Sequence, residues 1–439
     1  MSTHHLKSRR ASTAMALAVV GALALSACST SNSDASKSPA PVDQAVTLSF
    51  HSWLPTQDQW TSLIAEFEAE NPNIKIDFTR DEDYASYLTK LDNDILAGQV
   101  PDLYGMQVGS SFDDYANYAL NTSEYASDWI GGLNPEAVRQ TTTTDGAVKA
   151  IPVLFSGMEF YLYNQTIMDK LGLSLPTNYD ELVAVSKAAR AAGYSPFAMG
   201  AADTWHDSDF FVWLSNQYGN GGDIYKAAAG DIPWDSASLI AAATKWQALF
   251  TDGVFQDAAT TTTTYPSARD DFFLAGKSIA FPTGSWHVGA ALSTSPEVPG
   301  SAVEGNALGM AVFPTIGDRE ATATSGVDFA IAISADIDPA KKAAAAAFVK
   351  FMAVGKGQQM WVNTFQGFPV ANDVSIQLGD TESDLAKQSV TVVTEALQGA
   401  KYSRKLISPT NKGLESDLGI VLQNIANGAD PASQLASLK

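Results

Sequence analysis

Few residues in this chain are placed to do covalent chemistry. Beyond residue 27 the histidines are His51, His206 and His287, without His-x-x-x-His or Glu-x-x-His spacing, so no zinc site is expected. One cysteine, Cys28, excludes an internal disulfide or a thiolate metal cluster within one chain. No Gly-x-Ser-x-Gly elbow or P-loop occurs, and Gly219-Asn220-Gly221-Gly222-Asp223 lacks a basic partner and reads as a loop. Asp207 and Asp209 offer a carboxylate pair for acid and base work, but two residues apart on a loop says nothing about their separation in space. The remaining chemistry is aromatic stacking joined to hydrogen bonding, carried by side chains at predicted strand-to-loop ends, where open α/β sheets bind ligands. Trp53 in Ser52-Trp53-Leu54-Pro55 reads as platform or packing. Trp205, His206 and Asp207 stand in a polar stretch after Met199-Gly200, and Trp205 with Asp207 suits stacking plus hydrogen bonding. Trp286 follows Gly284-Ser285, and the glycine leaves its neighbour room beside a ligand. Asp328 reads as ligand acceptor or loop cap, and Phe368 before Pro369 as ligand platform or core. Asp83, in Asp81-Glu82-Asp83, reads as a solvated charge run. A metal, nucleotide or prosthetic group is not expected.

The cysteine has a specific context. Lys7, Arg9 and Arg10 precede an apolar stretch, residues 11–26, too short for a comfortable membrane span. It ends in Leu25-Ser26-Ala27-Cys28, which resembles the lipobox of bacterial lipoproteins. That resemblance implies cleavage before Cys28 and its acylation, where several acyl chains give the stable anchoring that one chain cannot. Residues 1–27 are therefore expected to be a signal peptide, and 28–45, rich in Ser, Ala and Pro, a flexible lipid-anchored tether. The expected location is the extracytoplasmic face of a bacterial cell membrane.

The elements that must position these side chains are legible from Val46 onward. The 439 residues carry 27 Lys+Arg against 48 Asp+Glu, a net charge of -21, which disfavours nucleic acid and an anionic bilayer surface. Hydrophobic residues make up 45%, enough for a large core and against disorder. Val46, Leu48 and Phe50 alternate as a strand; Trp60, Leu63, Ile64 and Phe67 recur at helical spacing until Asn71-Pro72 stops them. Ile74, Ile76 and Phe78 alternate again, a second helix runs from Tyr84 to Ile95 with Gly98 closing it, and a short strand covers Asp102–Met106. This is the grammar of a parallel sheet with covering helices. Later strands are predicted at 160–164 and 329–333, with a capping-box spacing at Thr177 and Asp180, and with Asp338 and Pro339 opening a helix.

Several segments together resemble extracellular solute-binding protein family 1, the sugar-binding lipoproteins of ABC importers. They are residues 46–78; Leu96-Ala97-Gly98-Gln99-Val100-Pro101-Asp102; residues 146–182, with Ile151-Pro152, Tyr163-Asn164 and Pro176-Thr177; Phe273-Leu274-Ala275-Gly276-Lys277; Gly284-Ser285-Trp286; and Gln366-Gly367-Phe368-Pro369. The resemblance implies a two-lobed α/β fold like that of maltose-binding proteins, each lobe a mostly parallel sheet flanked by helices. Crossing strands would fall near Phe155–Phe160, Phe313–Thr315 and Ala353–Lys356. The lobes would be 46–154 plus 315–354 and 155–314 plus 355–439, with Ser156-Gly157 and Gly355 as hinge points. It further implies a carbohydrate ligand of oligosaccharide length, ABC permease subunits as partners, and a monomer. Gln107 and Ser110 fall where the family places hydroxyl-binding side chains, though Ser110 also suits a helix cap; Trp286 matches the family's stacking Trp. The alternative is a secreted lipoprotein glycoside hydrolase or polysaccharide lyase; a surface scaffold would show no small-ligand stabilisation.

Overall fold

A computed structural model describes residues 44–81, 84–364 and 367–438. Cys28, most of the tether, Asp83 and Gln366 lie outside the described residues. Within them, ten strands form two sheets, each with its own apolar core.

The first sheet grows from the alternation read in the sequence. β1 (Val46–Ser52) buries Leu48 and Phe50 and pairs in parallel with β2 (Ile74–Arg80) and β3 (Leu103–Met106). Between β1 and β2, helix Gln57–Glu70 buries Trp60, Leu63 and Phe67, and it starts where the Thr56 N–H donates to Gln59 Oε1 at 3.0 Å. Asn71 ends it, and Gly98 at φ +66° follows helix Tyr84–Leu96, the left-handed conformation a glycine takes without penalty. The sheet is completed by β4 (Ile151–Met158) and β9 (Thr324–Ile333), both buried almost throughout, and by β10 (Tyr402–Ser403) beside the start of β9.

The second sheet has the order β6-β7-β5-β8, from β5 (Phe160–Asn164), β6 (Ser195–Phe197), β7 (Ser278–Thr283) and β8 (Leu308–Val312). Its core joins Tyr161, Phe197, Phe210, Trp213, Trp246 and Phe313, with helices Thr204–Ser215, Ala237–Thr251 and Leu414–Ala426 packed on one another. Parallel pairing is found within β1–β2–β3 and for β6–β7, while β5 pairs antiparallel with β7 and β8, and β4 with β9. Topology requires the last of these. The chain leaves the first sheet along β4 into β5 and returns along β8 into β9, so the outgoing and returning strands run opposite ways through both sheets.

The outgoing crossing narrows to one residue, Glu159, between β4 and β5; the return lies between Val312 and Thr324. The third expected crossing, at Ala353–Lys356, is displaced. Helix Gly355–Val362 stays on the first core, with Trp361 stacked on Phe329 at 5.9 Å, and Val370 and Ala371 pack there too. Only beyond these does the chain reach helix Asp384–Gln398, which lies against β8. A further cap is shifted by one residue. Asn178, not Thr177, caps helix Tyr179–Ala191 through the Glu181 N–H, and Glu181 accepts from Thr177. Asp338 and Pro339 open helix Pro339–Ala353 as predicted.

Phe313 shows how tightly the second core is keyed, with ring centroids 5.1 Å from Tyr161, 5.3 Å from Phe210 and 5.6 Å from Phe197. Phe313→Ala is expected to cost about 3–5 kcal/mol, the range for removing a fully packed aromatic. Denaturant unfolding checks this, and a loss under about 1 kcal/mol would contradict the packing described.

Candidate functional site

Polar groups concentrate where the strands cross. Arg404 follows β10, and its backbone N–H donates to the Ser325 carbonyl, which fixes it to the edge of the first sheet. Its side chain then runs between the lobes. Nη1 donates to Ser156 Oγ at 3.0 Å and to Asp328 Oδ1 at 2.5 Å, both on first-sheet strands. Nε and Nη2 donate to Asp209 Oδ2 at 3.2 and 2.9 Å, on a helix of the second lobe. Ser156 Oγ also donates to Asp328. Gly326 makes room for the stem, since a Cβ there would lie 2.8 Å from Arg404 Cγ. Burial works against the Arg404 charge, but Asp209 and Asp328 more than offset it and hold the proton more firmly than usual.

Above this cluster sits an aromatic group. Trp205, Tyr265 and Trp286 pack together, with Tyr265 4.9 Å from Trp205 and the two indoles 6.5 Å apart. Both tryptophans keep part of their surface exposed, whereas Tyr265 is buried. Trp286 Nε1 donates to Tyr265 Oη at 2.8 Å, Tyr265 bonds to Thr283, and the Arg404 guanidinium lies 5.1 Å from the Trp286 ring centroid. Gly284 is required here by close approach: a Cβ would fall 2.1 Å from the Trp286 ring. The room that glycine provides is used by the indole itself.

The other sequence candidates divide. Asp328 is not a loop cap: it lies within β9, and its carboxylate accepts from Arg404 and Ser156 of the protein itself. Gln107 follows β3, half-buried, with no side-chain hydrogen bond to the described residues. Ser110 ties the lobes: its hydroxyl donates to the Leu406 carbonyl and accepts from the Ser408 N–H, each at 3.2 Å. Trp53 is packing, with its ring 4.6 Å from Tyr84, 5.1 Å from Tyr87 and 5.5 Å from Phe329. Phe368 is core, buried with Phe160, Val288 and Val393. The stretch read as a polar loop is the first turn of helix Thr204–Ser215, which is buried on nearly every side and so shows no apolar periodicity. Residues two apart on a helix point roughly 200° from each other. Asp209 therefore meets Arg404, while Asp207 lies beside Gln423, whose amide donates instead to the Ala201 carbonyl. Burial pushes the Asp207 carboxyl well above its ordinary range and lowers His206 to about 4, so the imidazole is neutral at pH 7.

Sequence reasoning missed Arg404, Glu159 and Tyr265, and took Ser156 only as a hinge point. Arg404 lies 195 residues from Asp209 and 76 from Asp328, and its segment, Lys401-Tyr402-Ser403-Arg404-Lys405, carries no pattern that marks it. Glu159 had a signal: an acidic residue between two apolar strands. It is buried, and neither carboxyl oxygen has a hydrogen-bond partner among the described residues.

A cavity of about 330 Å³ adjoins the cluster, lined by Val108, Gln140 and Thr142 from the first lobe, Tyr225 from the second, and Tyr402 and Lys405 beside Arg404. That volume falls within the range of about 300–1,000 Å³ for small-molecule sites. Aromatic faces, a charged fork and a cavity between lobes suit a ligand held without covalent chemistry.

The sequence profile of bacterial extracellular solute-binding proteins matches residues 53–359, most of the chain. The chain belongs to that family. Among relatives of this solute-binding protein, the multiple sugar-binding protein of Streptococcus mutans is 25% identical over 81% of each chain. An uncharacterized ABC transporter extracellular-binding protein of Pyrococcus horikoshii is 25% identical over 51% of this chain and 54% of its own, so the match spans about half the length of that relative. A solved structure from work on xylan utilization by Caldanaerobius polysaccharolyticus superposes with a TM-score of 0.73 at 22% identity, covering 90% of this chain and 99% of the other. At that identity the likeness speaks for the fold alone.

Glu159 generates a pH prediction. Burial is the main cause that raises its affinity for a proton, Asp209 adds to it, and Arg404 opposes it. A carboxyl whose proton is held more tightly when folded favours the folded state most below the ordinary glutamate range, and that contribution is lost as pH rises from there towards the raised value. Glu159→Gln should therefore flatten the fall in melting temperature as pH rises above about 4.5. Parallel melting curves for parent and variant across that window check this; identical slopes would contradict it.

Proposed function

We propose that this solute-binding protein captures a carbohydrate, of oligosaccharide length, between its lobes and delivers it to the permease subunits of an ABC importer. The observation that carries the reading is the partly exposed Trp205–Tyr265–Trp286 group set against the Arg404–Asp209–Asp328 cluster. Sugars present apolar C–H faces and a rim of hydroxyls, and this site offers flat apolar platforms beside charged hydrogen-bonding groups. The name of the Streptococcus mutans relative points the same way. In this reading the ligand stacks on Trp205 and Trp286 and extends into the neighbouring cavity past Gln107, while the crossing at Glu159 and the return before Thr324 act as the hinge. Ligand stabilises the closed arrangement by its greater affinity for it, and the permease reads that arrangement. The protein binds and releases its ligand unchanged, and it acts as a monomer held to the outer face of the cell membrane by acyl chains on Cys28.

Titration calorimetry over a panel of neutral and acidic oligosaccharides tests the binding. Trp286→Ala and Trp205→Ala are each expected to weaken the best ligand by about 1–3 kcal/mol. Full affinity in both variants would contradict the site, and release of shorter sugars by the purified protein would contradict the binding role. For the anchor, Cys28→Ser should move the protein from the membrane fraction to the soluble one, and unchanged fractionation would rule the anchor out.

A further inference from the structure

We propose that Arg404 is a clamp and positioning residue that makes closure of the two lobes and presentation of the Trp286 stacking face a single event. One guanidinium serves both lobes. Its Nη1 is spent on Ser156 and Asp328 of the first sheet, and its Nε and Nη2 on Asp209 of the second lobe. The Trp286 ring of the second lobe lies against the same guanidinium. A short span of chain reinforces the junction: Leu406 and Ser408 bond to Ser110 of the first lobe, and Lys405 meets Glu415 of the second at 3.4 Å. The Gly157 N–H donates across to Ser285 Oγ at 3.1 Å, next to Trp286 in sequence.

The clamp works because of what separation would do. Arg404 is almost wholly buried, so moving Asp209 away leaves its fork half unpaired until water enters. Trp286 would at the same time lose the cation beside its ring. Closure therefore completes the charge cluster and fixes the indole together. Lysine would keep the charge but not the planar fork that reaches both carboxylates.

This inference rests on the sugar-binding reading for its ligand arm only. In the full chain with Cys28→Ser, nitroxides are placed at Ala69→Cys in the first lobe and Lys187→Cys in the second, both exposed positions, and their separation is measured by pulsed electron paramagnetic resonance. The parent without ligand is expected to give a mainly short distance with a minor longer one that ligand removes, Arg404→Gln a mainly longer population, and Arg404→Lys an intermediate mixture. The oligosaccharide that binds the parent best should bind Arg404→Gln at least tenfold more weakly yet restore the short distance at saturation. If Arg404→Gln does not fold, Asp209→Asn, which removes the charge of the second-lobe arm and leaves Ser156 and Asp328 in place, should show the longer distance instead. An unchanged distribution in the folded variant, or a parent mainly open without ligand, would overturn the clamp. Loss of affinity with unchanged distance would make Arg404 a ligand contact only and overturn it too. If no sugar binds the parent, the functional reading fails while the distance comparison still decides the clamp.

Discussion

A guanidinium stripped of water must find carboxylates nearby, and Arg404 finds them on two separate bodies. Asp328 stands on β9 of the first sheet and Asp209 on a helix of the second lobe, so the charge is fully paired only while the lobes are together. Removing one partner of such a buried pair commonly costs about 3–5 kcal/mol, because the other charge stays behind. Much nearby geometry follows from that demand. Gly326 leaves space for the arginine stem, and β10 pairs briefly with β9 to fix its backbone. Helix Thr204–Ser215 presents Asp209 inward while turning Asp207 the other way.

The same junction holds groups that stability alone would not favour. Glu159 and Asp207 are buried without hydrogen-bond partners among the described residues, and His206 is held neutral by burial. An unsatisfied buried polar group costs about 1–3 kcal/mol. Such groups concentrate where a site must change its surroundings, and a crossing residue such as Glu159 is where a hinge would hydrate them.

How far the sequence spoke depended on the range of the forces involved. β1 and helix Gln57–Glu70 were legible because alternation and helical spacing are set by near neighbours, and Asp338-Pro339 announced a helix start for the same reason. Trp286 and Trp205 stood out as aromatics at loop ends and are partly exposed. Trp53 and Phe368 looked alike in sequence yet are packed among Tyr84, Tyr87 and Phe329, and with Phe160 and Val393. Which of two similar aromatics stays accessible is decided by what folds over it. Arg404 was not legible, since its partners come from distant segments. Helix Thr204–Ser215 was misread because a helix buried on all sides has no polar face to show its period.

The account stands on a ligand drawing both lobes around one polar junction. Hydrogen exchange of the full chain with and without its best-binding oligosaccharide tests this most directly, because it reports each segment separately. The account predicts added protection in three stretches together, 156–164, 285–291 and 402–408, with little change at distant helices such as Tyr179–Ala191. Protection confined to one lobe, or none in these three stretches at saturating sugar, would contradict it.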